Sequence, residues 1–531
     1  MISCGKSSTQ LTKWKDAAEG TTIDVTKSMP QPHLDGVIDL ISNTATLANI
    51  NKNLEFPEMT EKKIKRRFSV SSLGEDEQLY LENLSFSEEG RITYKRVTGL
   101  LVFLMTFSYS VLAETVLEDI ERWIELQPML DPPSTGSVIT YDGLGKLRPW
   151  IVPGLFEELS FPGVEVVIQE TQSFLPYKSF ALATVKHAGE ARIGPDGSLE
   201  NYSAGQPFSD ERIKVASPDV AGFMIGWNHN HRWQHYGPDT RGVNLIYLGA
   251  KQNDAPVDIG LGLLGQGSID RLLNFDYRKV YLNNVSMLAS QNYKVNIEAA
   301  ETTFLKEFYE FTSPHNVAGT RFLVERKLDQ HADDQVNIYS PTERRIRRYS
   351  ARERADPVMG SNFTLDDVEA FSGRILDYKW RLLGERKVLA VSNSEHVTPK
   401  TFGPYSRVPY DRWQLRNCYA LELESILPDH PYKKRFLFID KQTYTVVAAL
   451  VIDRSDQFWK VLYNVYKWEG PINSTRASVE VSMPKPYYAA SIDLLANTAT
   501  VVHTYPNLKF PKMSPKKIKR LYSVSSLGEG R

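Results

Sequence analysis

The sequence predicts a mainly β fold of antiparallel strands. Three features carry that prediction: an aromatic content of 11%, a succession of short β-branched and aromatic segments set off by turn residues, and few stretches of helical period. Hydrophobic residues at 41% and charged residues at 24% exclude wholesale disorder. A formal net charge of -1 supplies no global field for a polyanion, so nucleic acid is excluded as a partner class. The 2 cysteines, Cys4 and Cys418, exclude a cysteine-built zinc cluster and allow at most one disulfide.

Taken in order, the body opens with a short amphipathic helix. ETVLEDIERWIEL places Val116, Leu117, Ile120, Trp123 and Ile124 on one face, and DPPSTG then breaks it. VEVVIQET, RFLVERKLD and QVNIYSP follow as strands. KRFLFID and TYTVVAALVID form a hairpin across Asp440, Lys441 and Gln442, and Arg454-Ser455-Asp456 turns the chain into FWKVLYNVYKW, a three-strand meander. Two helical interruptions are expected, at 300–312 (AETTFLKEFYEFT) and at 364–371 (TLDDVEAF). The second opens on Thr364 as N-cap, with Asp367 three residues on.

Two segments duplicate one another. Residues 29–75 and 483–529 align without a gap and are identical at more than half their positions. Two copies at opposite ends do not make a solenoid. Between them, Lys95 and Arg96 precede the apolar run 97–112, which ends at Val111-Leu112-Ala113 as a signal peptide does; the run is shorter than the ~20 residues of a membrane-spanning helix. The expected organisation is a duplicated tail segment over 1–76 resembling 477–531, a linker with an internal signal over 77–113, a β-rich body over 114–476, and a C-terminal tail over 477–531. The first segment reads as the tail of an upstream paralogue fused in front of a complete second copy. If the internal signal at 95–113 is used, the protein is periplasmic or associated with the outer membrane.

No G-x-S-x-G, H-E-x-x-H or P-loop occurs in the sequence, and the Gly260, Gly262, Gly265 spacing lacks the strand-loop-helix unit that a Rossmann fingerprint needs. The glycine-rich stretch 259–267 lacks the Lys-Ser/Thr of a phosphate loop and reads as a flexible connection. His229, His231 and His235 in WNHNHRWQHYG are the metal candidates, because residues i and i+2 of a strand share a face; the aromatic neighbours favour instead histidines on a sheet or cavity rim. Asp333 with Asp334, and Asp366 with Asp367, are adjacent and suit solvent or a cap better than acid–base work. The basic run 343–354 reads as a solvated sheet edge, and Lys516 to Arg520 as solvated or facing anionic headgroups.

Several segments resemble a known family: PYKSFALATVKHAGEARIGPDGSLENYSAGQPF (176–208), GWNHNHRWQHYG (226–237), NFDYRKVYL (274–282), DVEAFSGRILDYKWRLLGERKV (367–388), YDRWQLRNCYALE (410–422) and HPYKKRFLFIDKQTYTVVAALVID (430–453). They are similar to a bacterial envelope family of unknown function, also described as outer-membrane lipoprotein-sorting proteins of the LolA/LolB-like superfamily. The resemblance implies one large, strongly bent antiparallel sheet, a half-barrel around a few short helices, and an apolar concavity for lipid or lipoprotein acyl chains. It implies no enzyme and no cofactor, with an inner-membrane transporter or an outer-membrane receptor as partner. Trp227, Trp233, Trp380 and Tyr463 are the candidate cavity or rim residues. Two other readings stand beside it: a metal-dependent envelope hydrolase using the three histidines, and a structural partner of an envelope transporter.

Overall fold

In the computed structural model the strand segments of the body join one sheet. The structure describes residues 116–125, 131–233, 235–251, 260–349, 351–474, 482–504 and 508–529. The duplicated segment at 1–76, the signal-like run and Cys4 lie outside the described residues.

The first strands are β1 (Val138–Thr140), β2 (Glu165–Ile168), the small pair β3 (Arg192–Ile193) and β4 (Leu199–Glu200), and the long β5 (Asp239–Leu248) and β6 (Ile269–Tyr281). Next come β7 (Thr303–Ser313), β8 (Arg321–Lys327), β9 (Gln335–Ser340), β10 (Arg345–Tyr349) and β11 (Tyr378–Ala390). A second small pair is β12 (Thr401–Phe402) and β13 (Val408–Pro409). The last six are β14 (Arg412–Ser425), β15 (Tyr432–Asp440), β16 (Val446–Asp453), β17 (Phe458–Glu469), β18 (Met483–Asp493) and β19 (Thr498–His503). The helices are short: α1 over 116–125, α2 (Leu155–Leu159), α3 (Lys178–Lys186), α4 (Asp210–Val215), α5 (Pro218–Asn230), α6 (Pro515–Leu521) and α7 (Val524–Gly528).

The main sheet has 15 strands in the order β1-β2-β14-β15-β16-β17-β18-β19-β5-β6-β7-β8-β9-β10, with β11 on β14. The predicted meander is its centre: β15, β16 and β17 pair antiparallel in sequence order. The hairpin β18–β19, from the C-terminal copy of the duplication, sits between β17 and β5 and so ties the end of the chain into the middle of the sheet.

The expected single curved antiparallel half-barrel is corrected here. The sheet is mixed, because β2 runs parallel to β14 at Arg412 and Trp413. It is also open, with no pairing between β1 and β10, and neither closes into a barrel nor curves strongly. The physical reason lies in its two faces. Alternate residues of the central strands enter two different cores: Phe436, Phe438, Leu450 and Ile452 pack with α1 and α2, whereas Leu437, Ile439, Ala449 and Val451 pack with α5. At these central strands a sheet filled on both faces leaves no half-barrel lumen, and the strands read as continuous apolar runs, as VVAALV does in β16.

Two further expectations change. Thr303–Ser313 is strand rather than helix. Its Leu, Lys and Glu favour helix locally, but Phe304, Phe308 and Phe311 become buried only between β6 and β8, and tertiary burial outweighs so small a propensity. The glycine-rich stretch, described from 260, is packed rather than flexible: Thr401 N–H donates to Gly262 O (2.9 Å) and Leu264 N–H to Thr401 O (2.7 Å). A Cβ on Gly262 would meet Pro399 O at 2.2 Å, so the glycine permits this close approach.

Helix α5 starts on Ser217 with Pro218 in its first turn and lies directly on β11. Gly222 and Gly226, one turn apart, make that approach possible: a Cβ on Gly222 would stand 2.7 Å from the Trp380 carbonyl carbon, and one on Gly226 3.1 Å from its ring. We expect Gly222→Ala to lower stability by about 1–3 kcal/mol despite alanine's better helix propensity, because backbone cannot yield as a side chain can. Urea unfolding measures this; an unchanged or raised midpoint would contradict it.

Candidate functional site

An apolar recess opens between one face of the sheet and a strap of residues 358–370. Its volume is about 140 Å³. Val243 and Leu245 of β5, Phe275 of β6, Phe311 of β7, Phe322 of β8 and Val502 of β19 form the wall, and Val358, Phe363, Leu365 and Val368 of the strap form the roof. The wall side chains stand at alternate positions of neighbouring strands, so the pleat itself collects them on one face. The Thr240 and Thr364 hydroxyls line the same recess, are buried and have no hydrogen-bond partner among the described residues.

The strap has no regular helix. Residues 365–370 form a 3₁₀ turn, and Met359, Glu369 and Ala370 hold φ of 52°, 53° and 64°, left-handed values that cost a non-glycine residue about 1–3 kcal/mol. Buried ion pairs hold it there. Arg435 Nη2 donates to Asp367 Oδ1 (2.7 Å) and its Nη1 to Ala370 O (2.8 Å). Tyr432 OH and the Thr364 N–H donate to the other Asp367 oxygen at 2.8 and 2.9 Å. Arg354 bridges Asp366 (2.8 Å) and Asp334 (2.7 Å), Arg326 also holds Asp334 (2.9 Å), and Glu369 pairs with Arg232.

The aspartates are therefore corrected from solvent to interior. Asp334, Asp366 and Asp367 are buried, while Asp333 alone of the four faces water, paired with Arg374. Burial by itself would raise the carboxyls of Asp334 and Asp366, but Arg326 and Arg354 beside the first and Arg354 beside the second hold them below the usual range. Thr364 does open the turn, as expected, through its N–H bond to Asp367.

Beneath Val368 and Glu369 lies a small polar cavity of about 20 Å³ bounded by His229, Arg232, Lys279 and Arg326, room for about one water molecule. Its charges are matched: Lys279 pairs with Glu307 at 3.1 Å, and Tyr277 OH donates to the same Glu307 oxygen at 2.8 Å.

The histidine cluster does not form. His229 lies in α5 and His231 caps it, so i and i+2 diverge by about 200° instead of sharing a strand face. Both ring nitrogens of His229 face backbone carbonyls, Tyr444 O at 2.8 Å and Phe371 O at 3.1 Å, and burial lowers its pKa to about 4. His231 packs on Tyr202 and Trp227, and His235 on Tyr177. Among the described residues no group of three His, Cys, Asp or Glu could hold a metal ion. Cys418 is buried in β14, which pushes its thiol pKa up.

Of the four candidate aromatics, Trp227 and Trp380 belong to the core cluster that includes the recess wall residues Leu245, Phe311 and Phe322. Trp227 Nε1 donates to Gly197 O and Trp380 Nε1 to Ile375 O. Trp233 packs with Phe180 and Trp468. Tyr463 lies on the opposite face, donating to Tyr488 OH at 2.9 Å.

Residues 266–519 match the model of the family described as protein of unknown function, DUF1329. Over those residues the chain belongs to that family. The family resemblance drawn from the motifs is thereby borne out, and the matched span holds most of the recess wall and the entire strap. No curated protein matches the chain. Three solved structures are similar to it. A DUF1329 family protein from Desulfovibrio piger has 15% identity and a TM-score of 0.39, covering 59% of this chain and 100% of its own. A Vibrio parahaemolyticus domain, provisionally named as outer membrane lipoprotein-sorting, has 17% identity and a TM-score of 0.38, covering 58% and 98%. A LolA superfamily protein from Nitrosomonas europaea has 14% identity and a TM-score of 0.31, covering 54% and 90%. Overlaps of this kind assign neither ligand nor partner to this chain.

Proposed function

We propose that this chain is a non-catalytic binder of lipid or lipoprotein acyl groups in the bacterial envelope, periplasmic or at the outer membrane, and that the recess under the strap receives the end of the apolar chain. The observation that carries the reading is the recess itself, a wall of aromatic and aliphatic side chains under an apolar roof. Trp227 and Trp380, in the same core, are proposed as supports of its wall. Its volume sets the scale. A cavity of ~150 Å³ lined by aliphatic side chains accepts a benzene-sized group, so the recess suits a chain terminus rather than a whole lipid. At ~0.8 kcal/mol per buried methylene, a handful of them gives only millimolar affinity, so the remainder of the ligand must find contacts outside.

The test is displacement of a fluorescent fatty acid, together with native mass spectrometry of protein taken from its own membrane fraction. Ala489→Phe with Val502→Phe fills the recess. We expect that pair to weaken binding at least ~10-fold with the melting temperature within a few degrees of the parent. Unaltered binding in the filled variant, or protein that is repeatedly empty and takes up no fatty acid, would defeat the proposal.

A further inference from the structure

The end of the chain carries charge of one sign. From Leu494 to Gly528 the sequence contains no Asp or Glu, yet Lys509, Lys512, Lys516, Lys517, Lys519 and Arg520 fall within it, in a protein whose formal net charge is -1. All six are exposed. Helix α6 shows why they gather on one side: Ile518 and, beyond its end, Tyr522 turn inward to a core with Met513 and Leu527, which leaves Lys516, Lys517, Lys519 and Arg520 on the solvent side. The following α7 anchors this arm, resting on β8, β9 and β10, while Arg321 Nη1 donates to Leu527 O (2.9 Å) and Glu529 O (2.8 Å).

A second basic element therefore lies beside the first. The edge strand β10 and the turn before it expose Arg344, Arg345, Arg347 and Arg348, of which Glu343 pairs with Arg345 and Arg347. Exposed Val524, at 44%, and Ile346, at 37%, are apolar points within the same region. Scattered surface lysines normally alternate with acids, and a run of six without one on an anchored arm does not serve solubility alone.

We propose that α6, with the α7–β10 surface that anchors it, is a docking platform for a bilayer surface rich in anionic headgroups. The chemistry fits: multiple lysines give attraction without directional demands, as a fluid layer of phosphodiesters requires, and the isolated apolar side chains can enter the interfacial region. The platform is independent of the recess, so the protein would meet a membrane whether or not an acyl chain is bound.

Co-sedimentation with phosphatidylglycerol and phosphatidylcholine vesicles tests this on the full chain. Because Lys62, Lys63, Lys65 and Arg66 repeat the basic pattern near the N-terminus, the measurement is made with those four changed to Gln. That protein should bind phosphatidylglycerol, ignore phosphatidylcholine and release as salt rises to about 0.5 M. Adding Lys516→Glu, Lys517→Glu, Lys519→Glu and Arg520→Glu should cut binding at least ~100-fold, and the corresponding Gln set by a smaller factor. Equal binding to both vesicle types, no binding in the parent background, or full binding by the Glu variant would each overturn the proposal; a melting curve shows that the variant is folded.

Discussion

Replacing Arg435 by Ala should cost about 3–5 kcal/mol, a large part of the 5–15 kcal/mol that holds a typical domain together. The arginine is 1% exposed and its partner Asp367 is 0% exposed. Truncation would leave the Asp367 carboxylate without its cation and the Ala370 carbonyl without its donor, both far from water. Uncompensated burial of charge, rather than loss of attraction, is the source of the cost. The double replacement Arg435→Met with Asp367→Leu removes both charges and should recover only part of that stability, because Tyr432 OH, the Thr364 N–H and the Ala370 carbonyl are left without their buried partners. Urea unfolding of the two variants checks the argument; a loss under about 1 kcal/mol in Arg435→Ala would show that water reaches the pair. Because the same pair holds the strap, Arg435→Ala should also loosen ligand binding in the recess, whereas Gly222→Ala, acting at α5 and β11, should leave it intact.

Much of the sheet was legible before any coordinates. The alternation in KRFLFID and in FWKVLYNVYKW, with turn residues between, gave the meander of β15 to β17 correctly, since a period of two with short polar turns has few other solutions. Within β17 the alternation fails at Trp459, which packs in the same core as Leu462 because the pairing with β16 shifts register between Val451 and Ile452. The position of β18–β19 between β17 and β5 was not legible, since it joins segments more than 200 residues apart. The strap was read only at Thr364 and Asp367. Its charged residues look like any solvated DD or RER when the arginines that neutralise them, Arg354 and Arg435, come from distant segments. The histidines misled for a related reason: WNHNH fits a strand as well as a helix, and Pro218, nine residues before Trp227, was the sign that the helix had already begun.

Acid should unfold this protein in two stages, and the first comes from histidine. His229, His430 and His503 are buried, and burial lowers their pKa values from 6.5 to about 4, 4 and 3. A base whose folded pKa lies below its unfolded one takes up its proton first in the unfolded chain. The native advantage is complete above pH 6.5, shrinks as pH falls, and is used up below the folded values. Each such histidine contributes a slope of about 1.4 kcal/mol per pH unit across that window. The second stage belongs to Glu307, Asp334, Asp366 and Glu369. Burial opposes their ionisation, but Lys279, Arg326, Arg354 and Arg232 respectively outweigh it and hold their pKa values below the ordinary 4.5 of Glu and 3.8 of Asp. Their contribution is present above those ordinary values and is lost as pH falls through the lower folded ones. Unfolding free energies at several pH values between about 7.5 and 3.5 should therefore decline from near neutrality, well before these four carboxylates titrate; Asp377, whose pKa burial raises to about 6, takes up its proton first in the folded chain and offsets part of the slope. In His229→Gln the decline between about pH 6 and 4.5 should be shallower by one proton's worth, with the later stage unmoved. Stability that stays level down to pH 5 in the parent, or an equally steep decline in His229→Gln, would mean that the buried imidazoles are already charged and that their carbonyl partners, Tyr444 and Phe371 for His229, sustain the cation.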